Sequence, residues 1–121
     1  MGNVDFIDHK GKKILFVNFA ELDIGEITPR IIEAQGIITS QPPHSLLCLT
    51  DVSRMSISKE VIQLIKEYVA QNKPYIKRSA VVGVSGITNV LFKGVLKFSG
   101  RTDLVLKSSI EEAKDWLVEE D

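Results

Sequence analysis

The sequence predicts an α/β domain with a mostly parallel five-stranded sheet, entered through an N-terminal β-hairpin and covered by four helices in the order ββαβαβαβα. Three observations predict it. Ala80 to Val84 is a run of small apolar residues with no polar alternation, the pattern of a strand buried on both faces. Ser45-Leu46-Leu47-Cys48-Leu49-Thr50 is a second such run. Between and after these runs, apolar residues recur at helical spacing, and strands alternating with helices imply crossover connections over a parallel sheet.

In chain order, Val4 to His9 alternates as a first strand, His9-Lys10-Gly11-Lys12 turns, and Lys13 to Phe19 is the second strand. A short glycine-containing loop between two strands reads as an antiparallel hairpin. The first helix has two possible starts: the capping box Asp23-Ile24-Gly25-Glu26, or Thr28-Pro29 with proline at the first helical position. Ile27, Ile31, Ala34 and Ile38 form its stripe, and Gln41-Pro42-Pro43 ends it. After the strand at residues 45–50 comes a polar loop, Asp51-Val52-Ser53-Arg54-Met55-Ser56. Ser58 then caps a second helix that reaches Gln71 or Asn72, with Val61, Ile65, Tyr68 and Val69 inward and Asn72-Lys73-Pro74 as its stop. The fourth strand lies within Tyr75 to Val84. A third helix runs from Ile87 to Ser99, closed by Gly100. Thr102 to Lys107 is the fifth strand, and Ser108-Ser109 caps a last helix that buries Ile110, Ala113, Trp116 and Leu117.

With 121 residues, 44% hydrophobic and 26% charged, the chain suits one domain, residues 1–121, with an ordinary core. One cysteine, Cys48, excludes an internal disulfide and suits a reducing, cytoplasmic setting. The first residues lack the cationic and apolar segments of a signal peptide, and no apolar run approaches the ~18 residues of a membrane span. The net charge of −1 is unevenly spread. Residues 73–107 hold seven basic side chains against the single acid Asp103, a local +6, whereas residues 108–121 set Lys114 against six acids, a local −5. These segments either offer a patch to anions or lie side by side and neutralise each other. Nucleic-acid binding wants a broad basic face with interleaved aromatics, which a pI of 6.1 argues against.

No enzyme kit is legible. His9 sits in the hairpin turn and His44 beside Pro43, neither within a clustered set of ligand residues, so no metal-ligand motif and no cofactor motif is read. Cys48 inside an apolar strand behaves as a small hydrophobe. Gly83-Val84-Ser85-Gly86 matches neither the dinucleotide fingerprint nor the Walker loop. A strand feeding a helix through Ser85-Gly86 does leave N–H groups near Gly86 and Thr88 free for an anion or ligand, and Asp51, Ser53 and Ser56 leave the neighbouring strand at the same end. Ordinary helix capping explains the same residues. The third helix has a wider apolar arc than one sheet face needs. Its stripe is Ile87, Val90, Leu91, Gly94, Val95 and Phe98, which leaves Phe92 and Leu96 outside, beside Lys93, Lys97 and Arg101. A second copy, a protein partner, a lipid tail or a neighbouring loop could cover that surplus, the cations favouring an anionic partner.

The quoted residues carry a family resemblance. Ala20-Glu21-Leu22-Asp23, Leu47-Cys48-Leu49-Thr50-Asp51-Val52-Ser53, Lys77-Arg78-Ser79-Ala80-Val81-Val82-Gly83 and the closing helix from Ser108 to Leu117 resemble SpoIIAA-like proteins, small bacterial domains related to the STAS fold. The resemblance implies a β-α superhelical domain of mostly unassigned function, with a suggested kinship to CRAL-TRIO lipid-binding domains. It places Ser58 on the serine that is phosphorylated in true anti-sigma-factor antagonists, although the acid and glycines flanking that serine are missing from Ser56-Ile57-Ser58-Lys59-Glu60-Val61. The expectation is a non-enzymatic module that engages a protein partner or a second copy through the third helix. The alternative is a small-molecule or lipid carrier with an apolar pocket under residues 87–99.

Overall fold

The hairpin turn sets the sheet in motion: Lys10 and Gly11 both adopt positive φ, 51° and 81°, the pairing that a two-residue turn needs to match strand twist. In this computed structural model, which describes residues 3–99 and 103–119, the turn joins β1 (Val4–His9) antiparallel to β2 (Lys12–Asn18). Thereafter the chain alternates through α1 (Ile24–Ile38), β3 (Leu46–Asp51), α2 (Lys59–Asn72), a 3₁₀ turn (Lys73–Tyr75), β4 (Ile76–Val82), α3 (Gly86–Ser99), β5 (Leu104–Leu106) and α4 (Ile110–Leu117). The five strands lie in sequence order, with β2 through β5 parallel. The protein is thus α/β with a mixed, mostly parallel sheet and the expected element order.

Because each crossover steps one strand in the same direction with the same hand, successive helices stack on the same face. The main core follows from this. Leu15 and Val17 of β2, Cys48 of β3 and Val81 of β4 meet Ile27 and Ile31 of α1, Val61 and Ile65 of α2, and Phe92 of α3. Only α4 crosses to the other face, where Ala113 and Leu117 cover Ile14, Phe16, Leu49, Ala80 and Val82. Strand parity assigns every other residue to each face. Parity breaks once: Leu46 pairs with Ile76 but Leu47 with Arg78, so Lys77 is an extra residue that keeps Ile76 on the main face while turning Arg78 toward α4. Arg78 uses that position to donate to Trp116 O at 2.6 Å and to stack over the indole at 5.0 Å.

Of the two possible starts of α1, the earlier one forms. Asp23 is the N-cap, its N–H donates to Glu26 Oε1 at 3.1 Å, and Pro29 sits inside the helix. Ser58 caps α2 as expected, accepting from the Val61 N–H at 3.1 Å. The second-helix stripe Val61, Ile65, Tyr68 and Val69 is buried, and Asn72 is buried with it. In α4, Ala113 and Leu117 are buried, whereas Ile110 and Trp116 are only half-buried. Gly100 and Thr102, expected to close α3 and open β5, lie outside the described residues.

Candidate functional site

At the C-terminal ends of β3 and β4 the two connecting loops interlock. Gly83 adopts φ +87°, and a Cβ there would lie 2.2 Å from Ser53 Oγ and 2.6 Å from Ser53 N. Asp51 turns its carboxylate back on its own loop: Oδ1 accepts from the Ser53 N–H at 2.9 Å and from the Ser53 hydroxyl at 2.6 Å. The Ser56 N–H donates to Leu22 O at 3.0 Å. The structure therefore brings Asp51 and Ser53 together and satisfies them from within, which leaves a carboxylate where an anion cradle wants donors. Ser85 and Gly86 open α3 in exposed positions, with the Asn89 N–H donating to Ser85 O at 3.3 Å. The Thr88 side chain lies outside the described set.

The third helix is rotated from its expected orientation. Phe92, expected on a surplus face for a partner or lipid, is 4% exposed and belongs to the main core. Val90, expected inward, is instead 68% exposed. One rotation accounts for both, since the two positions lie 200° apart around the helix and cannot both face the sheet. Lys93, Gly94 and Lys97 are exposed beside Val90. The Leu96 and Arg101 side chains lie outside the described set. Part of the basic segment meets the closing segment of the chain: Arg78 pairs with Glu119 at 3.8 Å, and Lys107 lies over the Trp116 ring at 5.7 Å.

Beneath α3 lies a cavity of about 30 Å³ between the sheet and α2, room for about two water-sized groups. Phe19, Ile65, Val81, Phe92 and Leu104 give it an apolar wall. Two polar residues of α2, Tyr68 and Asn72, also border it, 6% and 4% exposed. Four residues apart on a helix, they share one face. Phe19 fixes the Tyr68 ring edge-on, centroids 5.9 Å apart at 87°. Among the described residues, neither Tyr68 Oη nor Asn72 Oδ1 has a hydrogen-bond partner. Burial pushes the Tyr68 phenol well above its ordinary pKa, the Cys48 thiol adds to the rise, and the Asn72 amide opposes it. The Asn72 amide thus lies within hydrogen-bonding range of the phenol, but the contact falls short of the geometry of a formed hydrogen bond, so the phenol oxygen stays unpartnered. Across the cavity the Cys48 thiol and Thr50 hydroxyl contact each other at 3.9 Å.

Sequence reasoning placed Tyr68 correctly but took Asn72 only as a helix stop. A polar residue continuing an apolar stripe at i+4 was the legible signal. Among the described residues no three His, Cys, Asp or Glu are grouped to hold a metal, and no helix is long and apolar enough to cross a membrane. No family model matches the chain, and no curated protein matches it.

Proposed function

We propose that this chain is a non-enzymatic binding module whose ligand is a small, largely apolar molecule held in the cavity between the sheet, α2 and α3. One observation carries the reading: an apolar cavity with two buried, unpartnered polar atoms on its wall. Buried polar groups are nearly always satisfied, and leaving one unsatisfied costs about 1–3 kcal/mol, so an orphaned pair on two residues that line a cavity is the signature of a group to be supplied. Ligand sites share this anatomy, an apolar wall with a few convergent polar groups. The resemblance to SpoIIAA-like domains, with their suggested kinship to lipid-binding domains, supports a carrier within the same reading. At about 30 Å³ the cavity accepts the ligand's polar end, and a longer tail needs α3 to move outward at Phe92. Native mass spectrometry of protein purified from its own host, in gentle and then denaturing conditions, tests this. Extra mass lost on denaturation supports the carrier, and a bare chain in both states counts against it.

A second reading, a homodimer or protein-partner face on α3, is favoured by Val90, 68% exposed among the exposed Lys93 and Lys97. Val90→Glu should then convert a dimer to a folded monomer in light scattering. An unchanged mass removes that reading.

A further inference from the structure

We infer that the group this cavity takes is an uncharged hydroxyl, so that the ligand is an alcohol rather than a carboxylate, a phosphate or an amine. The inference rests on the carrier reading above and deepens it. Its first support is the hydrogen-bonding arithmetic of the two orphans. Asn72 Oδ1 can only accept, and Tyr68 Oη can donate as well as accept. A single partner that completes both must donate a proton to the amide oxygen, and it can either accept from the phenol or donate to it. A hydroxyl does both with one oxygen, and one oxygen is what a cavity of about 30 Å³ holds with a carbon or two behind it. Turning the amide over would present a donor instead of an acceptor, and a hydroxyl still matches it.

The second support is charge. Among the described residues lining the cavity there is no Asp, Glu, Lys, Arg or His: its polar members are Cys48, Thr50, Tyr68, Asn72 and Ser79. A carboxylate or phosphate would enter without a cation, and an ammonium without a carboxylate. An isolated buried ion is the costliest thing a protein interior can hold. The cationic side chains on the same helix as Phe92, Lys93 and Lys97, are exposed to solvent. The wall itself discourages negative charge, since burial already drives the Tyr68 phenol toward its neutral form. A neutral carboxylic acid is disfavoured because holding it protonated at pH 7 opposes an ordinary pKa near 4.

The third support is position. Tyr68 is held by the edge-on contact with Phe19, and Tyr68 and Asn72 are both carried on a capped helix, so the pair is pre-arranged rather than borrowed from a loop. A hydroxyl seated between them leaves its carbon chain against Ile65, Val81, Phe92 and Leu104, the apolar wall.

The test uses four probes of matched length on the full chain: 1-propanol, propionate, propylammonium and propionamide. Methyl resonances of Ile65, Val81 and Leu104 report the cavity. With 1-propanol they should shift saturably, and Tyr68→Phe, which keeps the ring, should weaken that binding about five- to tenfold. Propionate and propylammonium should leave the same resonances in place. Stronger binding of any other probe than of 1-propanol overturns the hydroxyl assignment while sparing the carrier reading. Equal 1-propanol binding by the wild type and Tyr68→Phe overturns it too, since the alcohol would then be held by its tail alone. If all four probes are silent, the assignment fails. Mass retained on host-purified protein would then still separate that failure from failure of the carrier reading.

Discussion

Removing one oxygen atom should make the ligand-free protein more stable. Tyr68→Phe keeps the aromatic ring, its edge-on contact with Phe19 and its volume, and deletes only a hydroxyl that no described residue satisfies. Leaving such a group buried costs about 1–3 kcal/mol, so at the lower end the variant gains about 1 kcal/mol. In a chain of 121 residues this raises the thermal midpoint by about 4 °C. The protein is first unfolded and refolded to strip any ligand, then titrated with urea at pH 7. Trp116, the sole tryptophan, is half-buried against Arg78 and serves as the fluorescence reporter. The urea midpoint should rise with an unchanged slope. Alkaline pH gives an independent arm. A phenol whose pKa is raised on folding contributes stability below the unfolded value near 10, and that contribution is lost as pH climbs above it. The advantage of Tyr68→Phe should therefore widen above pH ~10. A variant less stable than wild type by about 1 kcal/mol at pH 7 refutes the reasoning. The hydroxyl would then already be bonded, most simply by water, and the cavity would be a hydrated structural feature.

Gly83→Ala should cost about 3 kcal/mol or more, because φ +87° is strained for alanine and the new Cβ meets the Ser53 backbone at 2.6 and 2.8 Å; a loss under about 1 kcal/mol in urea unfolding would show that the loops separate freely. Ser58→Ala should lose about 1 kcal/mol with the cap to the Val61 N–H, while Ser58→Asp keeps it. Equal loss in both variants would mean that Ser58 does more than cap. Asp115 has a lowered pKa through hydrogen bonds from His9 and then Lys10, so its contribution is present above the ordinary carboxylate range and fades as pH falls below about 4. Wild type and Asp115→Asn should differ at pH 7 and converge in acid, and a constant gap would exclude this ion-paired corner as the cause.

Elements set by local rules were legible, and those set by rotation or satisfaction were not. The strands, their two-faced burial and the Ser58 cap follow from runs and caps that a chain carries in its own neighbourhood. The start of α1 was ambiguous because Asp23 and Thr28 both offer starts, and the capping box prevailed although Pro29, in the second turn, forgoes one i→i−4 hydrogen bond. The extra residue at Lys77 escaped notice because a bulge depends on the partner strand. The orientation of α3 escaped for a related reason. With Val90, Leu91, Phe92, Val95 and Leu96 spread around it, its apolar arc is too broad to fix one inward direction, and the surrounding core chose Phe92. A pocket under residues 87–99 was one of two alternatives the sequence left open, and its lining was beyond reach because emptiness is a property of packing, not of any residue.

What was within reach was Asn72, and its cost is informative. An apolar residue at its place on the Val61-Ile65-Tyr68-Val69 stripe would bury cleanly, yet the chain sets an amide there beside a buried phenol. Two unsatisfied polar groups cost about 2–6 kcal/mol, against a total stability of about 5–15 kcal/mol for a small domain. The loops at the C-terminal strand ends do the opposite: Asp51 accepts from both the Ser53 N–H and hydroxyl, and Gly83 packs directly on Ser53. A chain that satisfies the carboxylate at its exposed loop and leaves a phenol and an amide open in its core has placed its unsatisfied chemistry where only something entering the core can complete it.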